Sequence, residues 1–213
     1  MPKLQVFIIP VTPFQQNCAL VFDADSKHGA IVDPGGDVPV ILDAIKQAGV
    51  TIDKILLTHG HLDHAGGAAE LREALGVSIE GPHEDDTFLL DSLKQAGDKY
   101  GMAGLRPVTP ERWLSDGDTV DVAGMSFKTI HAPGHSPGSV VFFNADHNFA
   151  LMGDVLFQNS IGRTDLPRGD HATLIASIRN KVLPLGDDVV FLPGHGPASN
   201  LGEERRSNPF LQD

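Results

Sequence analysis

The sequence has few cysteines, few basic residues and no long apolar run, and each shortage narrows the class of protein. Cys18 is the single cysteine, so no internal disulfide can form, and we expect it to be a small buried hydrophobic residue rather than a nucleophile. Lys and Arg number 16 against 28 Asp and Glu, which gives a formal net charge of -12. This charge disfavours nucleic acids and anionic membrane surfaces as partners. No apolar run approaches the roughly 18 residues that a membrane-spanning helix needs.

The start of the chain and its composition favour a cytoplasmic globular protein. Met1-Pro2-Lys3 leads into a strand-like segment without a small-residue cleavage site, so we expect no secretory signal. Hydrophobic residues make up 41% of the sequence, which is enough for a sizeable core. The length fits a single domain over residues 1–213. The sequence leaves the oligomeric state open, with a monomer as the default.

Strand-like and helix-like segments alternate along the chain and predict an α/β fold. Short β-branched runs bounded by turn residues predict strands over 4–9, 19–22, 30–32, 52–57, 77–79, 119–122, 126–131, 139–143, 149–152 and 189–192. Apolar residues at helical spacing predict helices over 38–48, 68–75 and 172–182, and the polar segment 82–100 is also mostly helical. This order of elements fits two sheets faced by helices, although composition alone indicates only the α/β class.

The segment 58–67, with the sequence THGHLDHAGG, concentrates residues that can bind a metal. It places three histidines and one aspartate directly after an apolar run, and imidazole and carboxylate are the ligands of borderline divalent metals in catalytic sites. His59, His61 and Asp63 alternate, so an extended backbone would direct them to one side, whereas His64 needs a turn or a helix start. The segment predicts a metal site; the alternative is a polar turn with solvated histidines.

Three later segments place a histidine or an aspartate just beyond an apolar strand and beside glycine. They are His135 in APGHSPG, Asp154 in MGD and His195 in LPGHGP. Each segment alone is weak evidence for a metal site, because sequences such as Pro-Gly-His are common in turns. Ligand sites collect where strand ends meet at one edge of a sheet, so the three segments together predict one shared site.

The pattern T-H-x-H-x-D-H-x-G-G and the later segments resemble the metallo-β-lactamase-fold hydrolases. The resemblance implies a four-layer αβ/βα sandwich with the site at one edge of the sheets. It also implies two divalent metal ions, zinc first, with iron or manganese as alternatives. By resemblance the ligands are His59, His61 and His135 for the first ion, Asp63, His64 and His195 for the second, and Asp154 as the bridge between them. Asp33 stands at the family's early aspartate position, where it would orient a ligand or a loop, or only cap a turn.

Within this family the chain resembles single-domain bacterial type II glyoxalases. The resemblance rests on the segment GRTDLPRGD at 162–170, on the short length and on the final residues NPFLQD. The resemblance implies hydrolysis of S-2-hydroxyacylglutathione, such as S-D-lactoylglutathione, by a hydroxide that bridges the two metals. Asp63 or Asp154 would hold the proton of this hydroxide as catalytic residues, and Arg163 would bind a glutathione carboxylate. We expect no C-terminal helical domain of the kind with which larger relatives bind glutathione, and Ser139 stands where these relatives often carry histidine. We therefore expect a weak hold on glutathione.

The same residues are also compatible with other functions. A persulfide dioxygenase also resembles the chain, and it would use one iron held by His59, His135 and Asp154. A hydrolase of this fold with another ester, thioester or lactam substrate is a further alternative. An RNA-processing nuclease would need a basic surface, which the charge disfavours. A structural zinc module would use four closed ligands, often cysteines, rather than seven.

Overall fold

The computed structural model describes residues 2–212, in which two β-sheets pack face to face between helices. The strands β1 to β13 are Leu4–Val11, Gln16–Asp23, His28–Val32, Thr51–Leu56, Ser78–Glu80, Thr119–Val122, Met125–His131, Val140–Asn144, Phe149–Gly153, Leu156–Phe157, Ser160–Ile161, Val190–Pro193 and Ser199–Asn200. The α-helices α1 to α7 are Val38–Ala48, Leu62–Ala65, Ala68–Leu75, Thr87–Asp91, Leu93–Tyr100, His171–Ser177 and Leu201–Ser207.

The first sheet has the strand order β1-β2-β3-β4-β5. Its first three strands are antiparallel, whereas β3, β4 and β5 run parallel and are connected through helices. Helix α1 forms because Val38, Ile41 and Ile45 recur on one face, and that face is buried. Gly49 ends α1 in the left-handed conformation and donates its N–H to the carbonyl of Ile45.

The second sheet has the order β13-β12-β9-β8-β7-β6, in which only β12 and β9 are parallel. Val21 and Ala30 from the first sheet and Phe127 and Phe142 from the second belong to one buried cluster between the sheets. Two further clusters fill the outer faces, one under α1 and α3 and one under α6. The layers are therefore helix, sheet, sheet, helix, which confirms the predicted αβ/βα sandwich.

Several boundaries differ from the sequence prediction. Strand β1 continues through Pro10, which was expected to end it; β1 is an edge strand, where proline is tolerated. The predicted helix 172–182 is α6 followed by a π-helical turn at Ile178–Val182, and Asp170 caps α6 by accepting the N–H of Thr173. The hairpin β10–β11, strand β13 and helix α7 are too short or too polar to give a periodic pattern.

The structure bears on the expectations for the single cysteine and for membrane-spanning helices. Cys18 is fully buried, as predicted, and burial, followed by the charge of Asp33, raises the pKa of its thiol. Within residues 2–212, the structure contains no helix with the length and apolarity needed to cross a membrane.

Candidate metal centre

The structure brings the seven predicted ligands together at one edge of the two sheets. His59 and His61 follow β4, and His135 lies in the turn between β7 and β8. Asp154 follows the last residue of β9, and His195 lies just beyond β12, which pairs with β9 in parallel. Because these strand ends meet at one edge, side chains far apart in sequence converge there.

His59, His61 and His135 form a compact group, which we call the first triad. The Nε2 atom of His135 lies 2.9 Å from Nδ1 of His61 and 3.2 Å from Nε2 of His59. Zinc–nitrogen bonds of about 2.0–2.1 Å in tetrahedral geometry separate ligand nitrogens by about 3.3 Å. Both distances are near this value, and the three nitrogens lie within 4.8 Å of one another, so the group can hold one ion.

Asp63, His64 and His195 form a second group, the second triad. The Nε2 atom of His195 lies 3.2 Å from Oδ2 of Asp63 and 3.4 Å from Nε2 of His64. His64 is fully buried, whereas His195 is partly exposed. One carboxylate and two imidazoles again make a donor set suited to a borderline divalent metal.

Asp154 lies between the two triads. Its Oδ2 atom is 3.6 Å from Nε2 of His135 and also 3.6 Å from Nε2 of His195, while Oδ1 is 3.4 Å from Nε2 of His64. Oδ1 is buried and has no hydrogen-bond partner among the described residues. A buried carboxylate oxygen without a donor is costly unless a cation compensates it, so Oδ1 fits a metal ligand beside His64, and Oδ2 places the same carboxylate next to both triads.

The protonation of the first triad also suits a metal. Burial, reinforced by His135, lowers the pKa of His61 to about 3, and burial lowers the pKa of His59 as well. These imidazoles are therefore neutral at pH 7, which is the form that binds metals. Burial acts to raise the pKa of Asp154, but His64 outweighs it and holds that pKa well below the usual range.

Hydrogen bonds to the outer ring nitrogens fix two of the histidines. His64 donates from Nδ1 to Oδ2 of Asp33 at 2.9 Å, and His135 donates from Nδ1 to the backbone carbonyl of Arg163 at 2.8 Å. When the ring is neutral, each bond holds the proton on Nδ1 and leaves Nε2 as the acceptor that faces the site. Asp33 also accepts the N–H of Thr58 at 2.7 Å, so it occupies the position expected of an orienting residue.

The extended alternation predicted for the histidine segment is wrong at Asp63. Asp63 and His64 lie in α2, and His61 is the residue that precedes this helix. The cause is packing: Gly67 donates its N–H to the carbonyl of Pro34 at 2.8 Å, and a Cβ on Gly66 would lie 2.6 Å from the carbonyl oxygen of Gly35. This close approach of two backbones bends the segment into a helical turn.

Sequence reasoning missed Asp86 altogether. This residue is fully buried and accepts hydrogen bonds from both loops that carry the first triad. It lies among Glu84, Asp85 and other polar residues, so the local sequence indicates an exposed turn. A hydrogen-bond pattern that joins residues 26 to 52 positions apart leaves no signal in a single sequence.

A cavity of about 790 Å³ opens over the two triads. Leu89, Leu93 and Ala96 from α4 and α5 line one wall, and the segment 157–167 lines the other. Lys99 and Arg163 are the lysine and arginine among its lining residues. The guanidinium of Arg163 is mostly exposed and pairs with both carboxylate oxygens of Asp165 at 2.7 Å, so an anionic ligand would compete with Asp165 for it.

Comparisons with known proteins agree with this fold. The model of the metallo-beta-lactamase superfamily matches residues 11–195. A hydroxyacylglutathione hydrolase, GloC of Haemophilus influenzae, is 46% identical over 209 residues, covering 98% of both chains. The crystal structure of the BLEG-1 B3 metallo-beta-lactamase superposes with a TM-score of 0.90 at 36% identity, over 98% of this chain and 100% of that one. TTHA1623, solved in a di-iron-bound form, gives a TM-score of 0.86 at 37% identity, over 97% and 100% of the chains.

The chain belongs to the metallo-beta-lactamase superfamily. It is a metal-dependent hydrolase, and its His and Asp clusters are suited to divalent metal ions.

Proposed function

We propose that the chain hydrolyses S-2-hydroxyacylglutathione thioesters such as S-D-lactoylglutathione, using two divalent metal ions held by the two triads and Asp154. The observation that carries this proposal is the pair of triads on either side of Asp154, whose Oδ1 atom has no hydrogen-bond partner among the described residues, next to a large cavity. The similarity to a hydroxyacylglutathione hydrolase supports the substrate class.

The side chains of the site have different roles in thioester hydrolysis. When bound, the two ions supply a water molecule of lowered pKa and a Lewis acid for the thioester carbonyl. Asp63 and Asp154 both line the cavity, and one of these two carboxylates accepts the proton of the attacking water. The carbon–sulfur bond then breaks, and glutathione leaves as a thiolate that takes up a proton. Asp33 and the carbonyl of Arg163 keep His64 and His135 oriented throughout.

The cavity walls suit a thioester of glutathione. Leu89 and Leu93 offer apolar contacts close to the triads, while Lys99 and Arg163 offer positive charge for the carboxylates of glutathione. Both cations are on side chains of the cavity wall, and Arg163 is already paired with Asp165. Binding contacts of this kind act mainly on KM, so we propose a high KM and an intact kcat.

A substrate panel on protein loaded with zinc or with iron tests the proposal. We expect release of glutathione and D-lactate from S-D-lactoylglutathione, at a rate well above that for a β-lactam or a simple aryl ester. Hydrolysis of the β-lactam alone would favour a β-lactamase, the activity for which the BLEG-1 relative is named. Oxygen uptake with glutathione persulfide, without thioester hydrolysis, would favour a dioxygenase. The iron-loaded arm is included because one relative was solved with two irons.

A further inference from the structure

Asp86 makes an unusual set of contacts for a carboxylate that lines no part of the cavity. It ends a 3₁₀ turn at Glu84–Asp86 and is 0% exposed. Its Oδ2 atom accepts from the N–H of Gly60 at 2.8 Å and from the hydroxyl of Ser136 at 2.8 Å, and its Oδ1 atom accepts from the N–H of Gly138 at 2.6 Å. Both oxygens are thus hydrogen-bonded, and the charge is stabilised by three donors.

The three donors come from the two loops that carry the first triad. Gly60 stands between His59 and His61, and Ser136 directly follows His135. These loops are far apart in sequence, since His61 and His135 are separated by 74 positions. Asp86 therefore joins, through one side chain, the backbones on both sides of the first triad.

The packing around this carboxylate is tight. A Cβ on Gly138 would lie 2.6 Å from Cγ of Asp86, and a Cβ on Gly60 would lie 2.8 Å from Cβ of Leu89. A larger residue than glycine would therefore clash at both positions. Because Asp86 packs directly against these loops, any shift of Asp86 also displaces the loops. Asp86 also leads directly into α4, which contributes Leu89 to the cavity wall.

We propose that Asp86 is a positioning residue that sets the spacing of His59, His61 and His135 and so determines the metal affinity of the first triad. It touches neither the cavity nor the second triad, and it acts only through the two loops. The inference rests on the proposed metal centre and is independent of the substrate.

Asp86→Asn tests this role with almost no change in volume. In either orientation, the amide turns its –NH₂ group towards a backbone N–H, that of Gly60 or that of Gly138, so one hydrogen bond becomes a donor–donor contact. The matched control is Asp91→Asn, an exposed aspartate at the end of the same helix α4. Ser136→Ala removes one of the three donors and keeps the charge, so it provides a milder variant.

The experiment titrates metal-free protein with zinc against a chromogenic chelator, and it locates the bound zinc by anomalous diffraction at the zinc edge. For Asp86→Asn we expect the dissociation constant of the first triad to rise about 10–100-fold, the same size of effect as losing a hydrogen bond made directly to a metal ligand, because the lost bond holds the loops that carry the ligands. We expect the second triad and the Asp91→Asn control to change by less than about threefold, which is within the range of unrelated surface effects. Ser136→Ala is expected to give a smaller loss at the same triad.

Equal losses at both triads, or no loss, would overturn the role of Asp86. If Asp86→Asn fails to fold by circular dichroism, Ser136→Ala decides the question by the same readout. A wild type that binds one ion, at the first triad, would defeat the two-metal proposal and leave the Asp86 comparison valid. If no zinc binds to the first triad of the wild type, both the two-metal proposal and the role of Asp86 are contradicted.

Discussion

Gly194→Ala is expected to damage the metal centre through a single methyl group. Gly194 follows β12 and accepts the N–H of Asn17 at 2.8 Å, which fixes its backbone. A Cβ at this position would lie 2.1 Å from Oδ1 of Asp154 and 2.5 Å from Cε1 of His64. Ordinary contacts begin near 3.4 Å, so these side chains must move by about 1 Å, a displacement that can cost about 100-fold in rate.

The assay compares thioester hydrolysis, zinc affinity and thermal midpoint for Gly194→Ala and a control, Gly196→Ala. Gly196 has φ 76°, and a Cβ added to it would have no neighbouring atom within 4 Å. Alanine there costs roughly 1–2 kcal/mol of backbone strain and should lower the thermal midpoint, with metal affinity retained. Gly194→Ala should instead lose at least about 100-fold in kcat and at least about tenfold in zinc affinity.

The opposite pattern would refute the reasoning about Gly194. If Gly194→Ala keeps full activity and two zinc ions, then Asp154 and His64 have space that the structure does not show. If both glycine variants lose metal equally, the loop around His195 acts as a whole, and the contact with Asp154 is not the cause.

Three further predictions concern activity and metal removal. Asp154→Ala should remove nearly all hydrolysis, because both triads lose a shared ligand; steady-state rates within tenfold of wild type, with metal retained, would contradict this. Arg163→Ala should raise KM for S-D-lactoylglutathione more than it lowers kcat, while the control Arg106→Ala, whose guanidinium is likewise paired in bidentate fashion with Glu73, should change neither. Removal of metal with a chelator should abolish hydrolysis and lower the thermal midpoint in calorimetry, because ions bound only by the folded state stabilise it; an unchanged midpoint would argue against tight binding.

Much of the fold could be predicted because the local pattern and the tertiary structure agree. Helices α1 and α3 match their predicted bounds, since buried residues recur at helical spacing and glycine ends each helix. The positions of most strands could be predicted from the sequence, but the order of the strands in each sheet could not. The single-domain organisation, the cytoplasmic location and the monomeric state remain predictions.

The grouping of these histidines and aspartates at one edge of the sheets could be predicted because they lie in short motifs at strand ends, while their role as ligands of two ions remains a prediction. What the sequence could not supply are the residues that hold these motifs from a distance. Asp86 is one of them, and Glu204 is another. Glu204 is buried in α7 and accepts from the N–H of Asn159 and the side chain of Asn208, which fixes the hairpin that carries the cavity residue Phe157. Helix α7 has the polar sequence LGEERRS, which gives no sign of this role.

The most direct measurement is a zinc titration of the metal-free protein, with S-D-lactoylglutathione hydrolysis and bound metal followed together. We expect activity to rise with zinc until two ions are bound per chain, and then to stay constant. Full activity with one ion bound would contradict the two-metal centre. No hydrolysis at saturating zinc, repeated with ferrous iron, would contradict the assignment as a hydroxyacylglutathione hydrolase.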